Sequence, residues 1–316
     1  MSIEKMDPTP IIDLGVYYNN HLWIKREDLI PFSFGGNKAR KAKLFFNEIE
    51  KEKFDCVVTY GSASSNHCRV VANECCRRNI GCYIIRPSSD GHETFNSQMV
   101  DLFGAKIISV PISEVHEAIN TEIKKLRKLG YKPYFIEGGG HGNVGTEAYV
   151  QCYSEIKIYE KEKNVHFDYI FLASGTGTTQ AGLVCGQLLN EDDREIIGIS
   201  IARKNPRGRN VVVESINKYL NGRADENVIQ KATIFLDDYA GEYGRGNENV
   251  TNTIENALKM YGIPLDSVYT GKAFWGMTRY LENVQGKDIL FIHTGGTPLF
   301  FDNLLEQCGV KNEDKA

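Results

Sequence analysis

The sequence predicts an α/β fold: two open, twisted, mostly parallel sheets, each in its own domain, with helices on both faces. Three observations predict it. Short apolar runs rich in β-branched residues alternate with longer helix-patterned stretches, as at 55–60 (DCVVTY), 106–110 (KIISV) and 169–173 (YIFLA). These runs are apolar throughout rather than at every second residue, which is how a strand reads when both of its faces are covered. The chain has 316 residues, enough for two domains. No linker rich in Pro, Gly or Ser divides it, so the two domains share crossing segments.

Taken in order, the strand at 55–60 precedes a helix at 66–79, and the strand at 81–86 (GCYIIR) precedes a helix at 94–103. The strand at 106–110 leads to a helix at 113–129, and a strand at 134–136 leads to a helix at 146–159. The strand at 169–173 leads to a helix at 178–190, and strands at 195–201 and 289–294 complete the set. Strand, crossover helix, parallel strand is the connection such a series implies. No repeat period suggests a solenoid.

Composition narrows the function. Apolar residues are 41% and charged residues 25%, with 37 Lys plus Arg against 41 Asp plus Glu and a net charge of −4. That balance argues against a nucleic-acid scaffold or a polybasic membrane binder. No apolar run reaches the roughly 20 residues of a membrane helix. The opening MSIEKMD has no apolar core of a secretory signal, so the expected address is the cytoplasm. Eight cysteines show no C-x-x-C pair and no zinc-ligand spacing. They read as small buried hydrophobes, with no metal site expected.

Two glycine-rich loops carry possible chemistry. Gly140-His141-Gly142-Asn143-Val144-Gly145 matches G-x-G-x-x-G, a dinucleotide-binding pattern when it forms the first tight strand-to-helix turn. Here Gly138 and Gly139 lengthen the loop and several strands precede it, which disfavours a nicotinamide nucleotide. The second loop, Ser174-Gly175-Thr176-Gly177-Thr178-Thr179, follows the apolar run YIFLA and enters an apolar helix. Glycines let backbone N–H groups approach an anion, and a helix N-terminus attracts it. A nucleotide P-loop would carry G-K-[ST], and no lysine is present. The loop reads as a cradle for one phosphate monoester.

A lysine lies behind a third glycine pair. In Phe34-Gly35-Gly36-Asn37-Lys38-Ala39-Arg40-Lys41, Lys38 opens a helix, where a cation opposes the helix dipole. A solvated basic helix start explains the other cations. Lys38 itself is better explained as a neutral or covalently used amine, the kind that forms Schiff bases.

Together GGNKARK, Ser64-Ser65-Asn66-His67-Cys68-Arg69 and GTGTTQAG resemble the pyridoxal-phosphate enzymes of the tryptophan-synthase-β fold type. Within that group they are similar to the branch holding aminocyclopropane-carboxylate deaminase and D-cysteine desulfhydrase. Later motifs agree and keep the family order: AGEYG at 240–244, VYTGK at 268–272 and HTGG at 293–296. The resemblance runs from about Thr9 to Phe301.

The resemblance implies a site. Lys38 matches the lysine that binds the cofactor aldehyde, and Asn66 the residue that contacts its 3-hydroxyl. Ser65, Asn66 and His67 match the helix start that receives the substrate carboxylate. Gly175, Thr176, Gly177, Thr178 and Thr179 match the cofactor phosphate cup, and Tyr243 and Tyr269 the paired active-site tyrosines. The deaminase carries glutamate, facing the pyridine nitrogen, where this chain has Thr270. It reads H-L-G-G where this chain has Thr294. Both differences match the desulfhydrase pattern. A neutral threonine holds a ring proton less well than a carboxylate, which suits prompt loss of a β leaving group.

The implied activity is α,β-elimination from a β-substituted amino acid, D-cysteine foremost, giving pyruvate, sulfide and ammonia. Lyases of L-cysteate, D-serine or diaminopropionate share the scaffold, and Thr270 and Thr294 disfavour the deaminase. A non-catalytic binding protein would have no use for Lys38, Ser65 and two tyrosines together. The resemblance also implies a small domain at 42–150 and a large one formed by 1–41 and 151–316. It places the cofactor in the cleft between them, and it implies a homodimer whose only other partner is a small amino acid.

Overall fold

Each apolar run read as a strand becomes one, and each pairs in parallel. The computed structural model describes residues 6–88, 93–239 and 247–307. The chain begins with β1 (Ile11–Tyr17), β2 (Asn20–Arg26), α1 (Asn37–Lys51), β3 (Cys56–Tyr60), α2 (Asn66–Arg77) and β4 (Gly81–Pro87). It continues through α3 (Phe95–Leu102), β5 (Lys106–Val110), α4 (Val115–Lys128), β6 (Pro133–Phe135) and α5 (Asn143–Lys163). Next come β7 (Tyr169–Ser174), α6 (Thr178–Leu189), β8 (Glu195–Ser200), α7 (Arg207–Leu220), α8 (Glu226–Ala232) and β9 (Ile234–Leu236). The last elements are α9 (Glu248–Tyr261), α10 (Thr270–Leu281), β10 (Asp288–His293) and α11 (Thr297–Gln307).

The chain forms two compact units. The first is Met1–Asn37 with Gly142–Phe300, and the second is Lys38–His141 with Phe301–Ala316. The first holds a six-stranded sheet in the order β1-β2-β10-β7-β8-β9. It is parallel except for the β1–β2 hairpin, whose register slips between Asp13 and Gly15. Leu22, Ile24, Phe171, Ile197, Ile199 and Phe291 face Phe274 and Met277 of α10. Burying such side chains contributes about 1.5–3 kcal/mol each.

The second unit holds a four-stranded parallel sheet in the order β5-β4-β3-β6. Cys56, Val58, Tyr83 and Ile85 pack with Ile119 and Leu126 of α4. Of the seven cysteines described, six are buried and Cys76 is exposed, all as free thiols. Among the described residues no helix is long and apolar enough to cross a membrane.

Candidate active site

In the first unit β7 lies between β10 and β8, and its C-terminal end opens into the threonine-rich loop. Gly177 stands at the N-cap of α6 with φ +87°, and no side chain caps the helix. The first turn holds no acidic residue, so its dipole is left for an outside anion. Ser174 Oγ donates to Gln180 Oε1 at 2.8 Å, and Gln180 Nε2 donates to Ile234 O at 2.6 Å. This buried amide ties the start of α6 to β9. Thr178 and Thr179 are buried, and Thr179 Oγ1 accepts from Asn37 Nδ2 at 3.0 Å.

Asn37 ends the glycine loop that precedes Lys38. Its N–H donates to Thr294 O at 2.9 Å, and Gly36 N–H donates to Glu27 O at 2.7 Å. The approach is too close for side chains. A Cβ on Gly36 (φ +89°) would stand 2.7 Å from Thr294 O, and one on Gly295 would stand 2.6 Å from Gly36 Cα. The GGNKARK and HTGG motifs therefore meet backbone to backbone. Just before Thr294, His293 Nε2 donates to Pro264 O at 2.9 Å, and its Nδ1 accepts from Gly295 N–H at 3.2 Å.

Thr270, the first residue of α10, is fully buried. Its hydroxyl lies 2.6 Å from Asp266 Oδ2 and accepts from Asp266 N–H at 2.8 Å. Asp266 also accepts from the N–H groups of Val268, Tyr269 and Thr270. The threonine is thus backed by a buried carboxylate, whose pKa burial raises against the lowering effect of those bonds. Tyr269 occupies the N-cap of α10 and packs half-buried on the first unit's core. Tyr243, with the rest of AGEYG, lies outside the described residues.

In the second unit Lys38 is the second residue of α1, whose first turn has no acidic residue. Its Nζ donates to Gly139 O at 3.1 Å, and Lys41 Nζ lies 3.5 Å from the same oxygen. Burial brings the Lys38 pKa down from 10.5 to about 8. Burial, and then the charge of Lys38, holds the Lys41 pKa well below its ordinary value. The glycine run that resembled a dinucleotide loop thus supplies the carbonyl that holds two lysines. The helix after it, α5, begins at Asn143, three residues ahead of the expected start.

Ser65 caps α2 by accepting from Cys68 N–H at 3.2 Å. His67 is buried, with Nε2 2.8 Å from Thr59 Oγ1, whose one proton goes to Ile136 O. His67 Nε2 is therefore the donor and Nδ1 is unprotonated. Burial, then the charges of Lys38 and Lys41, lowers its pKa, so the ring is neutral. Asn66 Oδ1 accepts from Arg69 Nη1 at 2.9 Å and Asn96 Nδ2 at 3.0 Å.

Sequence reading missed Asn37, Gly139, Asp266 and Asn96. Only Lys41, one helical turn after Lys38, carried a local signal.

The first unit thus offers an uncapped helix N-terminus that suits an anion, and the second a lysine amine with a lowered pKa. Residues 4–295 match the family described as pyridoxal-phosphate dependent enzyme, and the chain belongs to it. Its cofactor is pyridoxal phosphate, and the α6 N-terminus and the Lys38 amine fit a phosphate and an aldehyde. D-cysteine desulfhydrase of Yersinia enterocolitica serotype O:8 / biotype 1B is 31% identical over 300 residues, 91% of this chain and 90% of that protein. D-cysteine desulfhydrase of Salmonella typhi is 29% identical over 307 residues, 93% of each chain. A solved structure described as an ACC deaminase homologue matches with a TM-score of 0.84 at 28% identity, covering 95% of this chain and 93% of its own.

Proposed function

We propose that this protein is a lyase that removes the β substituent of an amino acid, with D-cysteine as the first candidate substrate. The net reaction takes cysteine and water to pyruvate, ammonia and hydrogen sulfide. The observation that carries the reading is Lys38, a half-buried lysine whose amine pKa desolvation brings to about 8, within reach of a general base at neutral pH. The similarity to D-cysteine desulfhydrases over nine-tenths of the chain supports the substrate.

In this reading Gly175, Thr176, Gly177, Thr178 and Thr179 hold the cofactor phosphate at the α6 N-terminus, and Asn66 meets the 3-oxygen. Thr270 faces the ring nitrogen, and Thr294 also contacts the cofactor. Bound pyridoxal phosphate supplies an electron sink that makes the substrate Cα–H acidic. Ser65, Asn66 and His67 receive the substrate carboxylate at the N-terminus of α2. The His67 ring is neutral, with its Nε2–H held by Thr59, so it adds no charge there. Lys38 Nζ removes the Cα proton, with Gly139 O orienting the amine. Tyr269, with Tyr243, delivers a proton to the departing sulfur.

Aminocyclopropane-carboxylate deamination is disfavoured by Thr270 and Thr294. The reading includes a homodimer, as the family resemblance implies, and the cytoplasmic address expected from the sequence. A screen of D- and L-amino acids for pyruvate release tests it: D-cysteine should give pyruvate and sulfide in equal amounts, and Lys38→Ala should give neither. Sulfite from L-cysteate with no sulfide from either cysteine would replace the substrate.

A further inference from the structure

Arg69 lies one turn into α2 and is 1% exposed. Its Nη1 donates to Asn66 Oδ1 at 2.9 Å and to Asn96 Oδ1 at 2.8 Å. A guanidinium has no acceptor, so both partner atoms are carbonyl oxygens and both amide orientations are dictated. Asn96, 0% exposed, then turns its Nδ2 to Ser64 O at 2.9 Å and to Asn66 Oδ1 at 3.0 Å. Asn66 Oδ1 thus receives two donors, one of them charged. The acceptor side of the Asn66 amide is committed inside the protein, and its NH₂ is the side left for a ligand. Of the three residues, only Asn66 is part-exposed.

We propose that Arg69, with Asn96, is a positioning residue that holds Asn66 as a hydrogen-bond donor and so keeps the cofactor's 3-oxygen deprotonated. A donor amide facing that oxygen favours its anionic form, and a flipped amide would present an acceptor and favour the protonated form. The cation acts through the amide: a guanidinium on Oδ1 draws electron density from the NH₂ and strengthens its donation. Burial lowers the Arg69 pKa to about 10, which leaves it charged at neutral pH. This assignment rests on the reading above that Asn66 meets the 3-oxygen.

The test is the absorbance of the purified holoenzyme without substrate. The bound cofactor absorbs at longer wavelength with its 3-oxygen deprotonated than with it protonated. Wild type should show the long-wavelength band in excess. Arg69→Met, compared at equal cofactor content, should lower the long-to-short band ratio by about tenfold, the loss of one charge-assisted hydrogen bond. Asn66→Ala should lower it at least as far. If Asn66→Ala lowers the ratio and Arg69→Met does not, the role given to Arg69 is wrong and the site reading survives. If neither moves it, the placement of Asn66 is wrong and the proposal falls with it. Should Arg69→Met not fold, Asn96→Ala decides, because it removes the other donor on Oδ1, and an unchanged ratio there overturns the proposal.

Discussion

Lys38→Met in the cofactor-stripped protein separates the electrostatics of the buried amine from its chemistry. Lys38 titrates near 8 in the fold against an ordinary value of 10.5. That gap of roughly 2.5 pH units corresponds to about 3 kcal/mol at 1.36 kcal/mol per unit. Below pH 8 both folded and unfolded chains carry the proton, and the fold bears the full cost of burying it. Between 8 and 10.5 the unfolded chain holds more protons, so stability rises with pH, and above 10.5 the cost is gone. Methionine, of similar length and uncharged, never bears that cost. It does forfeit the bond to Gly139 O, worth about 1 kcal/mol. The variant should therefore be more stable than wild type by about 2 kcal/mol at pH 7 and less stable by about 1 kcal/mol above pH 10.5. Relief of the repulsion that Lys38 exerts on Lys41 acts in the same direction at neutral pH. Urea unfolding of both proteins from pH 7 to 10.5 measures the difference. A constant offset across that range would refute the claim that burial depresses Lys38.

Ser65→Ala removes the cap on α2 and should cost about 1 kcal/mol, read from the urea midpoint at unchanged slope. Gly36→Ala puts a methyl group 2.7 Å from Thr294 O at φ +89°, and about 1–3 kcal/mol of backbone strain is expected. It should appear as a lower urea midpoint at unchanged slope. Lys25→Met removes the cation beside two carboxylates, since Lys25 Nζ lies 2.7 Å from Glu155 Oε2 and 3.8 Å from Glu27 Oε1 with Lys25 and Glu27 fully buried. A loss of about 3–5 kcal/mol is expected, seen as a lower thermal midpoint.

How much of this was legible depends on whether the signal was local. The strand at 106–110 was read to the residue because KIISV is a β-branched run between Gly104 and Pro111, two residues that break a strand, and β5 has those bounds. The hairpin β1–β2 was not read. Lys25 sits inside β2, and nothing nearby in the sequence says that Glu155 neutralises it from 130 residues away. Helices α7 to α9 went unread for lack of a strong motif at their start, although Asn247 does cap α9, and α10 went unread although VYTGK marks its first turn. Lys38, the α6 loop and Ser65 were legible because each is a short pattern tied to a helix start. Their supports were not. Gly139 O and Asn96 act across about 100 and 30 residues of chain. Asp266, only four residues before Thr270, was overlooked because a carboxylate in a turn reads first as solvated. The structure makes it the partner of a hydroxyl that sequence reading treated as simply neutral.

The hairpin that starts the chain also governs colloidal behaviour. An outer strand with straight, unpaired amides invites another molecule to dock alongside and polymerise. Here the slip between Asp13 and Gly15 bends the outermost ribbon, and β9, at the opposite margin, is three residues long. Neither border of this sheet offers a long flat template, so edge-to-edge association through the first unit should be disfavoured for as long as β1 stays zipped to β2.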